Sequence, residues 1–141
     1  HCKTRRQRQM CIRDRAYEAV EVGKKFVNQS ASNLHDHYGD MSPVHSLNNL
    51  AVVIWAFLSF QDSFDEAIGE TICCGWDTDC TGATVGGLIG LDKGSIPESW
   101  TDPWQGRVNT AIAGVGELKL EDLVERTCKL VDQFSSESDM D

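Results

Sequence analysis

The chain has 141 residues, 40% of them hydrophobic, and a formal net charge of −9. This composition describes at most one globular domain with a core of ordinary size, and excludes a disordered chain. The acidic balance disfavours phosphate backbones as generic partners, and the longest apolar run, Leu50 to Leu58, is too short to cross a bilayer.

Residues 1–15 hold six Lys and Arg against one acid, Asp14, which leaves 7 basic and 21 acidic residues in 16–141. A basic arm on an acidic body is a nucleic-acid signature in principle. Here the string MCIRDR at 10–15 resembles a translated transposon-end sequencing adapter. Residues 1–15 are therefore expected to be an artefactual arm that packs against nothing. On this reading the natural sequence begins near Ala16, inside a gene, and the N-terminal part of the protein is missing. No secretory signal follows the basic start.

Residues 16–31 predict a helix with Val20, Phe26 and Val27 on its apolar side. Residues 32–45, SNLHDHYGDMSPVH, are rich in turn formers and predict a loop. Residues 46–60 are apolar all round, which predicts a buried central helix; a strand there is the less favoured option because of its length. Asn48 and Asn49 are expected to cap or cross-link the start of that helix, because buried amides need partners. Ser63 and Glu66 have capping-box spacing, so the next helix covers 63–74 and stops at Gly75. Asp77–Asp79 then falls in a loop. A helix over 81–91 contains Gly82, Gly86, Gly87 and Gly90, so something must pack close to it. Residues 92–117, with Pro97, Trp100, Pro103 and Trp104, predict a surface-wrapping segment with a short helix at most. Residues 119–134 predict an amphipathic final helix, and 135–141 a disordered acidic tail.

Outside the arm the cysteines are Cys73, Cys74, Cys80 and Cys128. They form no C-x-x-C pair, so a zinc site is disfavoured and reduced thiols in a cytoplasmic protein are expected. His35, His37 and His45 include a His-x-His pair of the kind found in zinc enzymes, but no further ligand spacing supports it. Surface histidines on a loop are the plainer reading. The tryptophans are most simply core or cover, and Trp76, beside the aspartates, is the one placed to line a ligand pocket.

The segment GWDTDCTG at 75–82 carries the chemistry. Two carboxylates, Asp77 and Asp79, sit two residues apart among small residues, a natural way to hold a hard divalent cation. The ordinary alternative is a solvated turn with Asp79 as N-cap of the helix beginning near Thr81. An EF-hand loop fails, because its ninth and twelfth positions are Val85 and Leu88. A haloacid-dehalogenase-type phosphatase fits Asp77, Asp79 and Thr81 but needs a parallel sheet, and no β-α-β alternation exists.

The run from Asn48 to Gly90, followed by IPESW and WTDPW, resembles the C-terminal part of ADP-ribosylglycohydrolases. The resemblance covers about residues 36–134 and holds in order and spacing. It implies an all-α fold, here the C-terminal part of an orthogonal multi-helix bundle over 16–134. It also implies a pair of magnesium ions that orient the ribose of an ADP-ribosyl substrate, small or protein-linked, while water cleaves the glycosidic bond. Neither nucleic acid nor membrane is an expected partner. Asp77 and Asp79 match the family's C-terminal metal-binding aspartates. Cys80 stands where the family has Thr or Ser, with Thr81 next to it as a possible replacement. A thiol is a poor ligand for magnesium. The family's remaining ligands, including Asp residues after a Thr, have no match in 16–60, so half of a binuclear site is expected and no turnover by this chain alone. A non-catalytic relative that keeps the fold is the alternative of a different class.

Overall fold

A computed structural model describes the backbone of residues 5–138 and the side chains of 14–134. The chain divides into two compact units, one ending at Ser95 and the other beginning at Ile96. The first contains α1 (Arg5–Lys25), α2 (Ser32–Tyr38), α3 (Ser46–Ser59), α4 (Phe64–Cys74) and α5 (Thr78–Lys93). The second contains α6 (Glu98–Thr101), a 3-10 turn (Asp102–Trp104), β1 (Arg107–Asn109), β2 (Glu117–Lys119) and α7 (Leu120–Ser138). The fold is all-α as expected; among the described residues the one sheet is the antiparallel β1–β2 pair.

The apolar run forms α3, and Ala51, Val52, Val53, Trp55 and Ala56 on it are buried. Around them pack Val22 of α1, Leu34 and Tyr38 of α2, Ala67 and Cys74 of α4, and Val85 and Ile89 of α5. Taking such side chains out of water does most to hold the unit together, at about 1.5–3 kcal/mol for each large one.

Several boundaries differ from expectation for identifiable reasons. α1 runs unbroken through the boundary expected at 15/16 and ends at Lys25, short of Ala31. Among its described side chains Ala19, Val22 and Gly23 are buried, Val20 is half-buried, and Phe26, just past its end, packs half-buried against the core. Tertiary bonds replace helical ones beyond Lys25. Asn28 takes φ +58° and its N–H donates to Ser59 Oγ at 3.0 Å, while Gln29 O accepts from Trp55 Nε1 at 3.1 Å. The expectation that Met10 and Ile12 pack against nothing lies outside the described side chains.

The segment read as a loop over 32–45 contains α2 instead. Leu34 and Tyr38, one helical turn apart, are 0% and 6% exposed, so the core pulls this polar stretch into a helix. At Gly23 an added Cβ would lie 2.7 Å from Ala51 O, which shows how closely α1 crosses α3.

Ser63 caps α4 as expected, its Oγ accepting from Glu66 N at 3.3 Å. The close packing expected of the α5 glycines holds at Gly82 and Gly86, which face Ile72 and Ile68 of α4, but Gly87 faces open space.

In the second unit a hairpin appears where only a wrapping segment was expected. Arg107, Val108 and Asn109 pair with Lys119, Leu118 and Glu117, and Arg107 forms an ion pair with Glu117. α7 has the expected amphipathic spacing and continues helically to Ser138, into the stretch expected to be disordered. Its apolar residues are exposed, Leu123 at 39% and Phe134 at 68%.

Candidate metal-binding site

α4 closes at Gly75, whose φ is +81°, and Trp76 follows at φ +60°. Two successive left-handed residues turn the chain within three positions, so α5 already begins at Thr78. Glycine enters this region freely, whereas a tryptophan there needs compensating contacts.

Asp77 therefore occupies the N-cap position, yet its side chain makes no capping hydrogen bond. Asp79 lies in the first turn of α5, not at its cap, which corrects the ordinary reading of this loop. The Asp77 N–H donates to Asn49 Oδ1 at 3.3 Å. Asn49 Nδ2 in turn donates to Pro43 O at 2.8 Å and His45 O at 2.9 Å. The amide expected to cross-link the start of α3 does so, and it also tethers the aspartate loop to that helix.

Ligand atoms of Asp77, Asp79 and Cys80 all lie within 4.8 Å of one another. Asp77 is half-buried; Asp79 and Cys80 are exposed. Thr81 is 2% exposed and its hydroxyl donates to Asp77 O at 3.0 Å. The oxygen pair fits a hard cation, and further donors would have to complete the shell.

Repulsion from a neighbouring carboxylate would by itself raise the pKa of Asp79. Asp79 goes the other way. A hydrogen bond with the Asp77 carboxyl lowers it most, helped by the backbone N–H groups of Asp79 and Cys80 at the start of α5. The Cys80 thiol is pushed up, first by its hydrogen bond to Asp77 and then by the two carboxylate charges. It stays a neutral thiol near pH 7, a weak donor toward a hard ion.

The histidines do not assemble into a ligand set. His45 caps α3, its Nδ1 accepting from Leu47 N at 3.2 Å. His37 stands edge-on to Tyr38. His35 lies against Trp76, with ring centroids 4.2 Å apart. A surface cavity of about 250 Å³ is lined by Arg15, Glu18, Tyr38, Met41 and Leu47, and contains neither aspartate. The phosphatase alternative falls away, because the strands among the described residues form a three-residue antiparallel pair and not a parallel sheet.

The sequence matches the family model for ADP-ribosylglycohydrolase over residues 4–138. The chain belongs to the ADP-ribosylglycohydrolase family. The match takes in the whole helical scaffold from α1 to α7 together with the Asp77–Cys80 cluster, and it makes the chain a member of a glycohydrolase-type hydrolase family. Neither the curated proteins nor the solved structures gave a match. Among the described residues, no helix of this family member is long and apolar enough to cross a membrane.

Sequence reasoning missed two contributors to the loop, His35 and the left-handed backbone of Trp76. The Leu34–Tyr38 spacing was the available signal for the first, masked by the surrounding turn formers. Nothing in the sequence signals the second, since a tryptophan rarely adopts positive φ.

Proposed function

We propose that Asp77 and Asp79 are magnesium ligands of a hydrolase that cleaves the glycosidic bond of ADP-ribosyl or related N- or O-ribosyl groups. The observation that carries this reading is the convergence of two carboxylates at the start of α5, with the Asp77 side chain spared from capping. Bound there, magnesium would supply a Lewis acid for the ribose and its attacking water. Asp77 and Asp79 would orient it. The hydrogen bond with Asp77, and after it the N–H groups at the start of α5, hold the Asp79 carboxylate in its charged form. Cys80 stands beside the pair as a protonated thiol, and Thr81 buttresses the loop from within.

A two-ion site needs more donors than these. Among the described residues, Asp77, Asp79 and Cys80 form the one group of three His, Cys, Asp or Glu close enough to share a metal. Weak magnesium binding and no hydrolysis are therefore expected of this chain alone. Its substrate is a small ADP-ribosyl compound or a modified protein, and its setting the cytoplasm, where its free thiols would stay reduced.

Cys80, at a position where resemblance implies a hydroxyl, favours a second reading: a relative that binds the ligand without cleaving it. ADP-ribose binding without turnover, in a protein with all metal ligands, would select that reading.

Calorimetric titration with magnesium tests the ligand role. Binding that is lost in Asp77→Asn and in Asp79→Asn, with unchanged circular dichroism in metal-free buffer, supports it. Unchanged binding in both variants refutes it and leaves Asp77 as a helix-start residue only.

A further inference from the structure

The turn that carries Asp77 is held from a distant part of the sequence. His35 Nε2 lies 2.6 Å from Cys74 O, the last carbonyl of α4. A carbonyl only accepts, so Nε2 carries the hydrogen and donates. The same imidazole lies against the Trp76 indole, centroids 4.2 Å apart and planes tilted by 39°. Tyr38, one helical turn further along α2, meets Trp76 edge-on at 6.5 Å. Trp76 is the non-glycine residue at φ +60° directly before Asp77. α2 itself is anchored by Leu34 and Tyr38, both buried.

We propose that His35 is a positioning residue for the metal-binding loop: its Nε2–H on Cys74 O and its ring on Trp76 hold residues 75–77 so that Asp77 meets Asp79. The physical case has two parts. A left-handed tryptophan is unfavourable unless its side chain is engaged, and His35 with Tyr38 engages it. The end of a helix leaves carbonyls without partners, and His35 supplies one across 39 positions of sequence. Removing the imidazole frees both the carbonyl and the indole. The turn then relaxes, and Asp77 leaves the position where its carboxylate faces Asp79. Groups that orient metal ligands from behind act in this way, and their loss weakens binding without touching the ion. The inference rests on the reading of Asp77 and Asp79 as metal ligands.

The test uses the full 141-residue chain and its His35→Ala, His35→Asn, His35→Gln and Asp79→Asn variants. Gln places its amide nitrogen near the position of Nε2, whereas Asn falls short. Two readouts are taken: hydrogen exchange at the Asp77 amide in metal-free buffer, and manganese binding by calorimetry. Melting temperature checks that each variant is folded; if Ala unfolds, Asn serves in its place. His35→Ala or Asn is expected to speed exchange at Asp77 and to weaken manganese binding by roughly tenfold, and Gln to restore most of both. Unchanged exchange in Ala and Asn overturns the clamp. Faster exchange with unchanged manganese affinity, in a chain where Asp79→Asn abolishes binding, overturns the link between clamp and ligand. No manganese binding by the wild-type chain, together with faster exchange in His35→Ala, overturns the metal reading while the clamp on the turn stands.

Discussion

Three glycine-to-alanine substitutions grade the packing around the central helix. At Gly87 nothing lies within 4 Å of an added Cβ, so alanine only reduces the freedom of the unfolded chain. That should stabilise by about 0.5–1 kcal/mol. At Gly82 the added atom would come 2.8 Å from Ile72 Cδ1, the free end of a side chain that is 44% exposed. Ile72 can swing aside, and the helix gain and the lost contact should roughly cancel. At Gly23 the added atom would sit 2.7 Å from Ala51 O and 2.8 Å from Ile54 Cβ. Neither atom can move without shifting α3. Overpacking of this kind costs about 1–3 kcal/mol, and a backbone obstacle puts it at the upper end; after the helix gain the net loss is about 2 kcal/mol. Urea unfolding of the three variants measures the series. Gly23→Ala as stable as wild type would refute the close crossing of α1 and α3. Gly87→Ala less stable than Gly82→Ala would refute the orientation of α5.

The Asp79 carboxyl, lowered chiefly by Asp77, should titrate below an ordinary aspartate. Its contribution to stability is present above the unfolded value of about 3.9 and is lost as pH falls through the lower folded value. Carbon-detected NMR titration reads this directly; Asp77→Ala, which removes the hydrogen-bond partner, should bring Asp79 back up, and an Asp79 value at or above the ordinary one would sink the hydrogen-bond assignment. Burial pushes the Cys74 thiol up to about 11, and Cys80 is raised by Asp77, while Cys73 and Cys128 are exposed. Iodoacetamide near neutral pH, followed by mass spectrometry, should therefore label Cys73 and Cys128 first, Cys80 later and Cys74 last. The Cys74 shift also implies that stability, full below the unfolded thiol's pKa, falls as pH rises toward about 11. Ser63→Ala should cost about 1 kcal/mol by removing the acceptor for Glu66 N, measurable in the same urea experiment.

Periodicity and local chemistry were enough for the elements whose signals are local. α3 declares itself by being apolar all round, α4 by its capping serine, and α7 by its spacing. The aspartate pair is likewise visible in the sequence, because two carboxylates two residues apart must lie near one another in any tight turn. Packing settled the rest. α2 is a polar stretch that becomes helical because two of its residues, Leu34 and Tyr38, find a place in the core, a fact about α3 rather than about residues 32–38. The early end of α1 depends on Ser59 and Trp55, far along the chain. The early start of α5, which moves Asp79 from the cap into the first turn, follows from a left-handed Trp76 held by His35 and Tyr38. Hydrogen bonds and ring contacts across tens of residues cannot be read from local propensity, because each partner is indifferent until the other arrives.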